Sequence, residues 1–324
     1  MYKNEKDNNI QITLPLVSKN EDNVVFPLVL NVLTKFWGEM TPDEEILQRS
    51  IQYADHKGTI FIEGLEIMEE RFNLLSKVYQ GSLDDLKKRL GQGIPLIVIL
   101  PGINETIQFA TIVTGYDPEE KRMITYVPEP DSFGAIPEEK FFSEWAQEDY
   151  LTIMIYPEDA KDILKNSSFK FEKTNRISLE VERLKIQGKT NEALELLTNT
   201  LDNIVDEKDN PQLLLMMAGI LNEQNDEKCV ELYQKIIKIN PKFYLAHRGL
   251  GNYYLKRQNY LQSQQHYLDA IDISPSRYGP IYKNLGITFL NLGNESAAKE
   301  SFREYLQRVP NAPDGKNILD FINS

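Results

Sequence analysis

Two stretches of this chain repeat each other at a spacing of 35 residues, and that period limits what the second half can fold into. Leu250-Gly251-Asn252-Tyr253-Tyr254 is followed by Ser263, Tyr267, Ala270 and Pro275, and Leu285-Gly286-Ile287-Thr288-Phe289 by Gly293, Ala298, Phe302 and Pro310. Gly251 to Gly286 is 286 − 251 = 35 residues, and Pro275 to Pro310 is 310 − 275 = 35. Small residues at 251, 263, 286 and 298 let two helices of a pair approach closely. Large ones at Tyr254, Tyr267, Phe289 and Phe302 fill the space between pairs. Pro241, Pro275 and Pro310 end the second helices, because proline has no amide donor. One such pair cannot bury its apolar face alone, so the units must stack.

A step of 34 back from Pro275 reaches Pro241, with Cys229 and Tyr233 at the small and aromatic positions. Cys229 is read as a small hydrophobe in its slot. An earlier unit has Gly188 and Ala193 but a weak first helix. The spacing predicts four helical pairs, at about 175–207, 210–243, 244–277 and 279–312, and a capping helix near Gly315–Ile322. These offsets resemble the tetratricopeptide repeat, whose usual period is about 34, with one residue inserted near Ser276-Arg277-Tyr278. The resemblance implies an all-α solenoid with a groove lined by the first helices. Arg248 and Asn252, four apart and so on one helical face, would project into it. Lys283, Asn284 and Ile287 hold comparable places in the fourth pair. Arg248, Asn252 and Asn284 resemble part of the clamp with which some tetratricopeptide domains hold a peptide's C-terminal carboxylate, and a basic group with two amides suits that anion. The clamp's later basic residues have no counterpart, and ordinary solvated polar residues remain the alternative.

The first half has a different period. Helices are expected over Pro27–Phe36, Pro42–Asp55, Phe61–Arg71 and Leu83–Leu90. Then Pro95–Leu100, Phe109–Gly115, Met123–Val127 and Leu151–Tyr156 read as short buried or β-branched strands of an antiparallel sheet. Helices before a sheet indicate an α+β domain. The charged stretch from Pro157 to Thr174 reads as a linker.

Val25-Phe26-Pro27-Leu28-Val29-Leu30-Asn31-Val32-Leu33-Thr34-Lys35-Phe36-Trp37-Gly38 resembles the nucleophile-bearing helix of the bacteriocin-processing (double-glycine leader) papain-like cysteine peptidases. Further markers are Gln108-Phe109 before the Ala-Thr-Ile-Val-Thr-Gly-Tyr-Asp run, the turn Tyr126–Pro130, and Phe142–Trp145. In that family the helix opens with Cys-Gly-Pro, a His begins the central strand, an Asp-Pro follows on the next, and a Gln upstream helps form the oxyanion hole. Here Pro27 and Trp37-Gly38 match, but Val25 holds the Cys position and Gln108 or Phe109 the His position. Glu129-Pro130 stands for Asp-Pro, and Lys19 or a neighbour in Ser18–Glu21 for the Gln. Valine has neither a nucleophile nor an ionisable group, so covalent catalysis through that position is impossible. The resemblance implies a catalytically vacant peptidase-like domain.

Charge and cysteine use narrow the class. With 36 Lys and Arg against 49 Asp and Glu, the net charge is 36 − 49 = −13, which disfavours nucleic acid and anionic membranes as partners. One Cys excludes an intramolecular disulfide. No apolar run of about 18 residues and no signal-like start is present, so the expected address is the cytoplasm without membrane insertion. The three His, at 56, 247 and 266, read as lone residues, Ser18 has no nearby base, and the acidic pairs read as solvated surface. No metal and no cofactor is expected. The fold expected is an α+β papain-like domain over 1–157, a linker over 158–174 and an all-α tetratricopeptide solenoid over 175–324. The expected function is non-catalytic binding of a peptide or protein segment. The alternatives are a purely structural protein–protein interaction scaffold and, less favoured, an active hydrolase with displaced catalytic residues. A Val25→Cys variant should carry a thiol that titrates near the free value of about 8.5, measured by the pH dependence of alkylation. A value several units lower would reveal a base hidden from the sequence.

Overall fold

The computed structural model describes residues 10–17, 25–38, 61–102, 108–127 and 133–323. The expected helix over 42–55, the loop 18–21 and the residues 128–130 lie outside the described residues. The chain divides into two compact units, Met1–Leu100 with Ala110–Leu213, and Pro101–Phe109 with Leu214–Ser324.

The first unit is an α+β arrangement around a seven-stranded sheet. Its strands are β1 (Ile10–Gln11), β2 (Leu74–Gln80), β3 (Leu96–Pro101), β4 (Gln108–Asp117), β5 (Arg122–Tyr126), β6 (Phe133–Pro137) and β7 (Leu151–Pro157). They lie in the order β2-β7-β3-β4-β5-β6, with β1 paired to β4. The last strand is therefore inserted between two earlier ones. Leu74↔Pro157 to Gln80↔Leu151 joins β2 to β7, and Leu96↔Met154 to Val98↔Thr152 joins β3 to β7, both antiparallel.

Both faces of the sheet are covered, which is why β3 and β7 read as continuous apolar runs. Successive side chains of a strand point to opposite faces. Ile97, Ile99, Ile153 and Ile155 meet Leu30 and Leu33 of α1 (Val25–Phe36) and Leu65 and Met68 of α2 (Phe61–Phe72). Leu96, Val98 and Met154 meet Leu86 and Leu90 of α3 (Leu83–Gly91) and Phe141 and Trp145 of α4 (Glu138–Ala146). Arg89 of α3 is almost fully buried, and its nitrogens donate to Asp85 Oδ1 and Gln92 Oε1 at 3.0 Å each.

Strand β2 was hidden in the sequence. Its Ser76 and Lys77 break the apolar alternation, and the structure shows why they are polar. Ser76 accepts from Arg176 of the first helix of the repeat region, α5 (Glu172–Ile186), at 2.7 Å, while Lys77, on the opposite face over the Phe169 ring, pairs with Glu172 at the start of that helix. Arg176 also grips both oxygens of Glu69 of α2, at 2.8 and 2.7 Å. Arg183 donates to Glu66 at 2.7 Å and Glu63 at 3.3 Å, and Leu179 joins the same apolar cluster as α1 and α2.

These contacts correct the expected boundaries. The first helical pair, α5 with α6 (Thr190–Asn203), belongs to the compact unit of the sheet, not to the unit of the later pairs. The stretch 158–174 is not a free linker either. Ala160, Leu164 and Phe169 pack in the second apolar cluster, and Lys170 bridges to Gln80. The division falls at Leu213/Leu214, inside α7 (Pro211–Glu223).

The second unit continues with α8 (Lys228–Ile239), α9 (Tyr244–Lys256), α10 (Tyr260–Ile273), α11 (Pro280–Asn291), α12 (Glu295–Arg308) and the cap α13 (Gly315–Asn323). The helix bounds fall within a few residues of the repeat spacing. Every helical pair turns through one left-handed residue: Gly188 (φ 75), Asn225 (φ 60), Gln258 (φ 60) and Gly293 (φ 76). Asn259 and Asn294 then cap the second helices, accepting from the backbone of Gln262 and Ala297. Within a pair, glycine sets the distance. A Cβ on Gly251 would sit 2.5 Å from the Tyr267 ring, and one on Gly286 2.6 Å from Phe302. Gly249, on α9, lies as close to Tyr233 of α8, at 2.4 Å. No described helix is long and apolar enough to cross a membrane.

Gly251→Ala should destabilise the protein by about 1–3 kcal/mol, since Tyr267 is fully buried and its ring must shift. Urea unfolding followed on the helical signal checks this, and an unchanged midpoint would show that the pair has slack. Glu182, half-buried on α5, gives a second test. Desolvation pushes its carboxyl up from the usual 4.5 to about 7, against the opposing charge of Lys185. Between these values the folded chain holds a proton that the unfolded chain has lost, so stability falls as pH rises through that window. Glu182→Gln should therefore raise the melting temperature at pH 7.5 and leave it nearly unchanged at pH 4. Parallel melting curves that keep the wild-type slope would rule this out.

Candidate functional site

The peptidase-like positions come first. Val25 opens α1, but its side chain lies outside the described residues, as do Lys19 and Glu129. Gln108 opens β4 half-buried, with Phe109 exposed beside it. With His at 56, 247 and 266 and Cys at 229, the described residues of the first unit contain neither residue type. Cys229 is fully buried on α8, and burial pushes its thiol up to about 11. That fits the small-residue slot and leaves almost no thiolate at neutral pH.

The four groove residues do not share one role. Asn252 of α9 and Asn284 of α11 are joined, Asn284 Nδ2 donating to Asn252 Oδ1 at 3.3 Å. The same oxygen accepts from the buried Tyr267 hydroxyl at 2.7 Å. Asn252 thus helps hold the pair together, and its amide nitrogen has no partner among the described residues. The line continues inward, because Thr288 Oγ1 donates to Asn284 O at 2.8 Å and meets Ser263 Oγ at 3.2 Å. Lys283 is committed elsewhere. Its ammonium pairs with Asp314 Oδ2 at 2.5 Å, next to the cap α13, and holds that carboxyl below the usual carboxylate range.

Arg248 is the unsatisfied member. Its guanidinium stacks over Tyr278 at 4.8 Å, while Nε and Nη1 are buried without a hydrogen-bond acceptor. The residue inserted into the repeat builds this environment. Tyr278, held at φ 75, lies against Arg248, and the buried Arg277 sits over the Tyr244 ring at 4.4 Å. The Tyr244 hydroxyl is also buried without a partner, and burial pushes it up to about 12. A buried cation edge without an acceptor is costly, and an incoming carboxylate would offset it.

Next to Arg248 the structure assembles what the sequence reading kept apart. His247 and His266 are not lone. They meet Asp269, and one ligand-capable atom from each lies within 4.8 Å of the others. The sequence did hold a signal: His266 and Asp269 are three apart on one face of α10, opposite His247 on its partner helix. One period on, the same places hold Tyr282, Ser301 and Glu304, so the cluster is particular to this pair.

No family profile matches the chain. A stretch of 105 residues is 33% identical to the human Intraflagellar transport protein 88 homolog, covering 30% of this chain and 12% of that protein. This chain therefore spans a small part of that relative. Among solved structures, MamA residues 41-end from Desulfovibrio magneticus RS-1 is 18% identical, with a TM-score of 0.38, over 45% of this chain and 89% of that one. Pseudomonas aeruginosa pilF is 17% identical, with a TM-score of 0.39, over 45% of this chain and 73% of that one. None of these likenesses extends to a papain-like peptidase.

Proposed function

We propose that the chain is a non-catalytic protein-interaction scaffold whose helical pairs hold an extended segment of a partner protein. The observation that carries this is the Arg248 guanidinium, stacked on Tyr278 with Nε and Nη1 lacking an acceptor, one helical turn from the amide of Asn252. A C-terminal or side-chain carboxylate would supply what Arg248 lacks. Lys283 plays no part, being neutralised by Asp314, and Asn284 acts by fixing Asn252. The net charge of −13 favours a partner that is basic overall.

A second reading is a vacant peptidase-like cleft that holds peptide without cutting it. It is favoured by an apolar α1 packed on an antiparallel sheet and by the lack of Cys and His among the described residues of the first unit.

Photo-crosslinking in the native host, followed by mass mapping, separates the two readings. Cross-links from a partner should fall within 244–291, and the partner's shortest binding segment should bind Arg248→Ala more weakly by about 1–3 kcal/mol in calorimetry. Arg248→Lys should not restore it, since lysine lacks the planar fork. Asn252→Ala is a poor probe, because it also strips an acceptor from buried Tyr267. Cross-links confined to 10–157, or an Arg248→Ala variant that binds as wild type does, would reject the groove.

A further inference from the structure

The third helical pair holds two imidazoles and a carboxylate in an arrangement that hydrogen bonding alone leaves unexplained. His247 Nδ1 and His266 Nδ1 lie 3.6 and 3.7 Å from the same oxygen, Asp269 Oδ2. Both distances are too long for hydrogen bonds. Both nitrogens are buried and have no hydrogen-bond partner. His247 itself is 8% exposed, so its orphan nitrogen points into a closed space between α9 and α10.

The outer contacts of the three groups point the same way. His247 Nε2 lies 3.3 Å from the Pro241 carbonyl oxygen, an acceptor that requires the proton on Nε2 and leaves the lone pair on Nδ1. That lone pair faces a carboxylate oxygen, so two acceptors confront each other. The other carboxylate oxygen, Asp269 Oδ1, accepts from Gln265 Nε2 at 2.8 Å, which fixes the orientation of Oδ2. The His266 ring is held flat against Tyr254, 5.6 Å between centroids and 7° from parallel.

We propose that His247, His266 and Asp269 form a binding site for a borderline divalent cation, Zn2+ foremost. Two ligand atoms bound at about 2.1 Å with a tetrahedral angle lie about 3.4 Å apart; the two His–Asp separations are within a few tenths of an ångström of that, and all three ligand atoms lie within 4.8 Å of one another. Imidazole with carboxylate suits zinc better than magnesium or calcium, which take all-oxygen sets. A ligating His that donates its other N–H to a backbone carbonyl, and a ligating carboxylate that is itself hydrogen-bonded, are the outer contacts metal sites use. Three protein ligands leave a fourth position for a water or an exogenous ligand. The ion would join the two helices of the pair one residue from Arg248.

The test is titration of the purified metal-free full chain with Zn2+ in calorimetry, and with Co2+ for its visible spectrum. One ion should bind per chain, the Co2+ spectrum should report a four-coordinate site without a thiolate charge-transfer band, and the melting temperature should rise with added Zn2+. Asp269→Asn and His266→Ala should each weaken binding by roughly 100-fold or more. His56→Gln should leave it unchanged. Circular dichroism shows whether each variant is folded. Should a variant not fold, the wild-type spectrum still decides, because a thiolate band would exclude this ligand set and an octahedral spectrum would overturn the four-coordinate site. Binding that survives in both folded variants, or no saturable 1:1 binding to the wild type, overturns the proposal.

Discussion

The second unit depends on how closely its helices can approach, and glycine against an aromatic ring decides that. Gly251 lies under Tyr267, Gly286 under Phe302 and Gly249 under Tyr233, all at distances that leave no room for a side chain. The close approach has polar consequences. It lets the Tyr267 hydroxyl reach across to Asn252, and through Asn252 to Asn284 of the next pair. It also brings His247 of one helix against His266 and Asp269 of the other. A wider pair would have left all six groups solvated and unrelated.

The two units treat buried charge differently. In the first, Arg89 is buried but has carboxylate and amide acceptors, and Arg176 and Arg183 are shared among Glu69, Glu63, Glu66 and Glu180. Arg176 and Arg183 tie the first helical pair to α2 and β2. In the second, Arg248, His247 and His266 are buried with polar atoms unmatched, and all belong to one helical pair. Unmatched polar groups destabilise a fold, and these lie together on α9 and α10.

The repeat region was legible because its signals are local and periodic: small residues against large, prolines at the ends, one turn residue per pair. The sheet was legible where strands are buried on both faces, as at Leu96–Leu100 and Leu151–Tyr156. Strand β2 was not, because Ser76 and Lys77 answer to a helix a hundred residues away. The true edge of the first unit was hidden for the same reason, since Arg176 and Arg183 look like ordinary surface residues until Glu63, Glu66 and Glu69 are placed beside them. That Arg248 and Asn252 share one helical face could be read from their spacing. The commitment of Lys283 to Asp314 could not, because it depends on where the capping helix returns. The histidine cluster needed the register between α9 and α10, which a single helical face does not reveal.

The place of β7 has a consequence for the order in which this chain can be made. Strands β2 and β3 are synthesised early, yet neither pairs with the other; each waits for the strand that ends at Pro157. Until that segment leaves the ribosome, both carry open edges and an uncovered apolar face, and α5 follows to close over β2. The helical pairs beyond it are built from neighbours in sequence and can form as they emerge. A nascent chain of this protein therefore keeps the edges of β2 and β3 that β7 will fill open until the segment Leu151–Pro157 has been made.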